Sequence, residues 1–192
     1  MGAGSSHSPR FPLAALAIVV ALGAVPAHGQ ARRSVTLGIQ LVAVGTVHPV
    51  TTPSAVVGSA NSLNAGFGAD VAFAVHGRWS LTVAEDFIRS GGSWQNQLTF
   101  GPRVRLFSGR AWRLDASAQP GVFFGDLCQC ATFGGFGTTI TSFALYAGVS
   151  AAHRLGRRWT WRAGVGDLFL LRPQGNFGGS NLELATGLAF RF

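Results

Sequence analysis

Residues 181–192 read Asn-Leu-Glu-Leu-Ala-Thr-Gly-Leu-Ala-Phe-Arg-Phe. In an extended strand successive side chains point to opposite sides. Leu182, Leu184, Thr186, Leu188, Phe190 and Phe192 therefore share one face, and Asn181, Glu183, Ala185, Gly187, Ala189 and Arg191 share the other. One face is apolar and the other is small or charged. A half-buried strand of a soluble protein alternates in the same way, but here the sequence ends on an aromatic residue with nothing polar after it to cover the ring. The remainder of the chain has to say which solvent the apolar face meets.

Composition narrows the choice. Hydrophobic residues make up 47% of the 192 and charged residues only 11%, against roughly a quarter charged in soluble domains. There are 27 glycines, and every one of the 15 basic residues is Arg, for a formal charge of +8. Such a balance can signal nucleic-acid binding, but there is no arginine-rich helix and no zinc-ligand spacing, so nucleic acid is not an expected partner. The first 31 residues read as a secretory signal peptide: one Arg and no acid in 1–10, an apolar run at 13–25, then Pro26 and the small residues Ala27, Gly29 and Ala31, after any of which cleavage is expected. The apolar run is shorter than the ~20 residues of a spanning helix. Residues 32–192 contain no longer apolar run, leaving a secreted β-protein or a membrane barrel as the expected classes.

Seven further segments alternate like the last: residues 34–47, 64–75, 79–88, 94–107, 111–124, 140–155 and 159–171. Pro102 and Pro120 fall inside two of them and predict strand ends or bulges there, because proline cannot donate to a ladder. The connections after the second, fourth and sixth segments are short and chemically alike: His76-Gly77-Arg78-Trp79, Ser108-Gly109-Arg110-Ala111-Trp112 and Leu155-Gly156-Arg157-Arg158-Trp159. Glycine is expected to supply the positive backbone angle of a tight hairpin in each. Connections at 48–63, 125–139 and 172–180 are longer and polar or glycine-rich. Short turns at one end, longer loops at the other and an even strand number are the pattern of transmembrane barrels.

In that setting Trp79, Trp112 and Trp159, with Trp161, are expected to form an aromatic girdle at the short-turn interface. Phe87, Trp94, Phe123, Phe143 and Phe169 are expected at the opposite rim. The charges Asp70, Asp86, Asp115, Glu183, Arg103, Arg105, Arg113, Arg162 and Arg191 all fall on the small-polar face, the interior of an inverted barrel. Eight strands enclose a space just wide enough for side chains to fill, so these charges should pair. If residues 106 and 112 face each other, alternation sets Arg103 opposite Asp115 and Arg105 opposite Arg113.

The last segment, with Gly187 followed at fixed offsets by Phe190 and Phe192, resembles the final strand of bacterial outer-membrane barrels, although that family more often has a polar residue at the position of Ala185. From about residue 34 to 192 the architecture resembles the small eight-stranded, up-and-down antiparallel barrels of the OmpA/OmpX type. The resemblance implies residence in the outer membrane and contact with its lipids and lipopolysaccharide. It also implies recognition of Gly187, Phe190 and Phe192 by the barrel-insertion machinery, with function carried by the long loops. It names no single activity and nothing about oligomeric state.

Other chemistry finds little support. Lipid A-modifying enzymes of this fold use a His with Ser and an acid; here His48 lies near Thr51, Thr52 and Ser54 with no acid in that loop, and His76 and His153 lie by the short turns. Cys128 and Cys130 form a C-x-C suited to a loop disulfide in an oxidising compartment and too sparse for a zinc site. The phrase Phe133-Gly134-Gly135-Phe136-Gly137 beside them suits loop packing or contact with a partner. No cofactor or metal is expected. The expected role is non-enzymatic, structural or surface-interacting; a narrow Arg-lined anion channel is the alternative, and a lipid A-modifying enzyme comes third.

Overall fold

Period-two alternation across the chain produces long strands that pair in sequence order. The computed structural model describes residues 34–48, 50–52, 55–57, 63–90, 93–126, 139–171 and 177–192. Residues 1–31, expected from the sequence to be a signal peptide, Cys128, Cys130 and residues 133–137 lie outside them. Ten strands form: β1 (Val35–His48), β2 (Val50–Thr52), β3 (Ala55–Val57), β4 (Leu63–His76), β5 (Trp79–Ser90), β6 (Ser93–Ser108), β7 (Trp112–Asp126), β8 (Thr139–Arg154), β9 (Trp159–Leu171) and β10 (Phe177–Arg191). β1 and β4–β10 close into an antiparallel barrel in the order β1-β10-β9-β8-β7-β6-β5-β4. β2 and β3 pair with each other as a separate hairpin, inside a stretch that the sequence presented as loop. Likewise His48 ends β1, and residues 177–180 belong to β10. β5 and β6 also run past their expected ends, so that Ser90 pairs with Ser93.

The pairing fixes the stagger of the barrel. From Thr36 the ladder crosses to Ala72, Thr82 and Gly101. The flanking pairs Thr99–Gly121 and Arg103–Ser117 set Gly101 opposite Gln119. Continuing through Tyr146, Leu168 and Asn181, the path returns to β1 at Thr46, ten residues beyond its start. A stagger of this kind means tilted strands, roughly 35–45° in barrels of this type.

Pro102 and Pro120 neither end their strands nor create a bulge. Each keeps its pairing on one side, with Leu81 and Leu145. Between β6 and β7 the ladder skips from Thr99–Gly121 to Arg103–Ser117, the gap that two residues without N–H groups leave. The bulge lies elsewhere, between Arg105 and Phe107, and takes back one of the three positions by which a shorter turn displaces the expected register. The Gly109 amide donates to the Trp112 carbonyl (2.8 Å), which tightens the turn to Arg110-Ala111. Arg105 then stands opposite Asp115, Arg103 opposite Ser117 and Ser108 opposite Arg113. Glycine's positive angle is also needed in only one short turn: among the described residues Gly77, at φ 55°, alone has it.

The barrel is inside out. Ile39, Leu41 and Phe143 are 62%, 68% and 71% exposed, whereas Asp70, Asp86 and Glu183 are buried. Such an exterior is stable against hydrocarbon rather than water, and a closed ladder leaves no strand edge to satisfy in lipid. No described helix is long and apolar enough to cross a membrane; the crossing is made by strands.

Candidate functional site in the barrel lumen

Three kinds of side chain fill the lumen, and each occupies its own part of the strands. Near the middle, Asp70 from β4 receives both terminal nitrogens of Arg162 from β9, Nη1 donating to Oδ2 at 2.9 Å and Nη2 to Oδ1. Arg103 from β6 approaches the same carboxylate at 3.6 Å. A planar guanidinium matches a carboxylate's two oxygens, so the bond is directional as well as ionic. Gly38 on β1 makes the fit possible, because a Cβ there would fall on the Arg162 and Asp70 side chains.

Beside this cluster, Gln97 donates through Nε2 to Asp86 (3.0 Å) and to Glu183 (2.7 Å), and Gln40 donates to the other oxygen of Asp86 (2.8 Å). Thr99 donates to Gln119 at 2.9 Å. A neutral amide thus separates two carboxylates that would otherwise face each other in a space of low dielectric. A cavity of about 60 Å³ remains between these groups.

Toward the long loops the lumen turns apolar, a layer that the sequence reading had not placed there. Phe123, Ala144, Leu168 and Leu170 form one buried cluster, and Val42, Val44 and Ile88 form another. Phe123 is therefore an interior plug residue and not part of an outer girdle. Its neighbour Tyr146, also unanticipated, packs against the first cluster. Side chains at Gly148 or Gly166 would collide with the Tyr146 ring, so these two glycines hold open the space it occupies.

The remaining expected charges lie toward the short turns. Arg113 Nε binds Asp115 at 2.7 Å, so the acid pairs along its own strand and not with Arg103. Arg105 and Arg191 line an open basin at this end. Two acids lie off the lumen. Alternation along β5 and β9 points Glu85 and Asp167 outward; Asn96 donates to Glu85 at 3.1 Å, and Asp167 Oδ1 has no hydrogen-bond partner among the described residues.

Trp79, Trp112, Trp159 and Trp161 lie around the short-turn rim. Trp112 and Trp161 both pair with His153 and pack edge to face at 6.4 Å, and the Trp161 indole donates to Thr186 at 3.2 Å. Trp159 packs on Phe190 at 5.0 Å, Phe190 on Phe192 at 5.0 Å, and Arg158 lies 5.9 Å over the Phe190 ring. Trp79 is likewise exposed at its turn. On the outside nearer the loops, Phe67 stacks on Phe87 at 5.5 Å. Gly187 sits at the closing seam, paired with Gln40, where a Cβ would strike the β1 backbone. His153 is occupied by Trp112, at 4.6 Å, and no group of three or more metal-ligating side chains occurs among the described residues.

No protein-family model matches the sequence, and comparison with curated proteins finds no match. Solved structures do match in fold. Neisserial surface protein A superimposes with a TM-score of 0.61 at 9% identity, over 83% of this chain and 97% of its own. The N-terminal β-barrel domain of Pseudomonas aeruginosa OprF gives 0.59 at 9%, over 82% and 97%. The outer membrane protein OprG from Pseudomonas aeruginosa gives 0.53 at 9%, over 83% and 96%. The architecture is that of small eight-stranded bacterial outer-membrane barrels.

Proposed function

We propose, taking the outer-membrane barrel fold as the premise, that this chain is an occluded, non-enzymatic membrane anchor whose work is done at the surface by its long connections. One observation carries the reading: the lumen is crossed by two successive fillings, the Asp70–Arg162–Arg103 and Asp86–Gln97–Glu183 groups and then the Phe123–Leu168–Leu170 and Val42–Val44–Ile88 clusters. An ion following the axis would have to break a buried ion pair and then shed its water against hydrocarbon, two steps opposed by desolvation. That leaves the long connections, between β1 and β4, β7 and β8, and β9 and β10, as the carriers of interaction. The exposed apolar belt meets outer-membrane lipid, and the connections meet lipopolysaccharide or a surface partner. Gly187, Phe190 and Phe192 serve delivery to the insertion machinery.

Purified full-length protein in planar bilayers tests the reading. The expected result is absence of steady unitary current. Steady currents whose size or ion selectivity changes with Arg103→Gln or Arg105→Gln would overturn it in favour of the Arg-lined passage. Lipid A from an overexpressing strain is expected to be unchanged; modification lost on His48→Ala would overturn the non-enzymatic part.

A further inference from the structure

The short-turn end of the lumen holds charge that the rest of the barrel does not neutralise. A cavity of about 560 Å³ opens there, between the ends of β6–β10 and the turns that join them, and seven arginines but no Asp or Glu line it. Arg113 is paired with Asp115, and Arg158 lies over Phe190. Arg105, Arg154 and Arg191 from the strands and Arg110 and Arg157 from the turns have no ion-pair partner among the described residues. Arg105 Nε is buried without a hydrogen-bond partner.

Like charges gathered at the mouth of a low-dielectric cleft repel one another and raise the local concentration of anions. Loss of the arginines to solvent is restricted for Arg105 by its position on β6, so the uncompensated charge belongs to the folded barrel. Guanidinium forks match phosphate oxygens in pairs, and the volume falls within the ~300–1,000 Å³ range of small-molecule sites. We propose that this basin is a binding site for a multiply charged phosphate group entering from the short-turn side, which in this fold class faces the periplasm. It is separate from the paired charges of the mid-lumen, and it does not depend on whether the barrel conducts.

The same phosphate chemistry is offered by a soluble polyphosphate or by an anionic phospholipid headgroup. The test uses full-length protein in phosphatidylcholine nanodiscs titrated with tripolyphosphate by calorimetry at low salt. Saturable binding near one equivalent is expected, weakening steeply as salt rises. Affinity should fall at least tenfold in Arg105→Gln/Arg154→Gln/Arg191→Gln and clearly in Arg110→Gln/Arg157→Gln, whose exposed turn positions leave the lumen intact. Arg78→Gln, at the turn that does not line the cavity, should bind like the unaltered protein. In phosphatidylglycerol nanodiscs, weaker tripolyphosphate binding identifies the headgroup as occupant, whereas unchanged binding identifies a soluble phosphate. Absence of saturable binding, or affinity in the strand and turn variants equal to that of the unaltered protein, overturns the site.

Discussion

Replacing Asp70 with Asn should destabilise the barrel by more than any other isosteric change in its lumen. Asp70 is 2% exposed, takes a two-pronged hydrogen bond from Arg162 and has Arg103 at 3.6 Å. A unit-charge pair about 4 Å apart contributes about 4 kcal/mol at an effective dielectric near 20. Asp70 makes two such pairings, while its own desolvation opposes them. Removing the charge restores the carboxylate's desolvation but leaves two guanidinium groups beside each other without an anion. The net loss expected is about 3–5 kcal/mol. Asn keeps the shape, so no cavity contributes. The assay is equilibrium urea unfolding in lipid vesicles, followed by tryptophan emission, with folded and unfolded forms separated by gel mobility. Arg162→Met should lose less, because Arg103 still faces Asp70. Asp70→Asn with Arg162→Met should lose less than the two single losses added, since one uncompensated cation is removed with the anion. Gly38→Ala should approach the loss of Asp70→Asn, because its methyl group displaces the same pair. A loss below about 1 kcal/mol for Asp70→Asn, or strict additivity of the double variant, would refute the account of a lumen held by shared charge.

Gln97→Leu should lose about 2–3 kcal/mol, because it removes the donor shared by Asp86 and Glu183; the same unfolding titration reads it, and a neutral result would mean that water replaces the amide. Gly166→Val should prevent folding or strongly destabilise by displacing Tyr146, whereas Gly45→Ala, with nothing near its added methyl, should change stability by less than about 0.5 kcal/mol. Trp79, Trp112 and Trp159 should be quenched more by lipids brominated near the headgroup than near the chain ends, and deep quenching would remove them from the interface. Phe192→Ala should slow assembly in the presence of the insertion machinery more than spontaneous folding into detergent; equal slowing would make the Phe190–Phe192 packing merely structural.

The faces of the strands were readable because a period of two needs no knowledge of neighbours. Gln95 to Arg105 on β6 and Thr160 to Gly166 on β9 declare their inner side by residue type alone. Register was less readable. The two-residue turn at Arg110-Ala111 moves the register three positions from the expected one and the bulge after Arg105 returns one; nothing in Leu106-Phe107 or Ser108-Gly109 announces either, so the partners of Arg103 and Arg105 came out wrong. Ion-pair partners were out of reach for a further reason. Asp70 and Arg162 are separated by 92 positions, and only the closure and stagger of the whole cylinder decide which strands look at each other across it. The apolar plug was hidden by averaging: Leu168, Leu170 and Ile88 fall on faces whose other members are small or polar, and an alternation read by majority gives them no role, while Phe123 was read as a rim aromatic. Cys128, Cys130 and residues 1–31 lie outside the described residues.

The seam between β1 and β10 has a consequence for biogenesis. Thr36 through Thr46 pair with Arg191 through Asn181, and the Phe192 amide reaches the Val35 carbonyl at 3.0 Å. The earliest and latest strands are thus neighbours, and until they meet, two long rows of backbone groups stand open to any other strand nearby. A chain that lacks β10 cannot complete the cylinder, so partly made copies must be held apart by other means, and a single nonsense codon upstream of Asn181 would yield adhesive sheet rather than a smaller, working barrel.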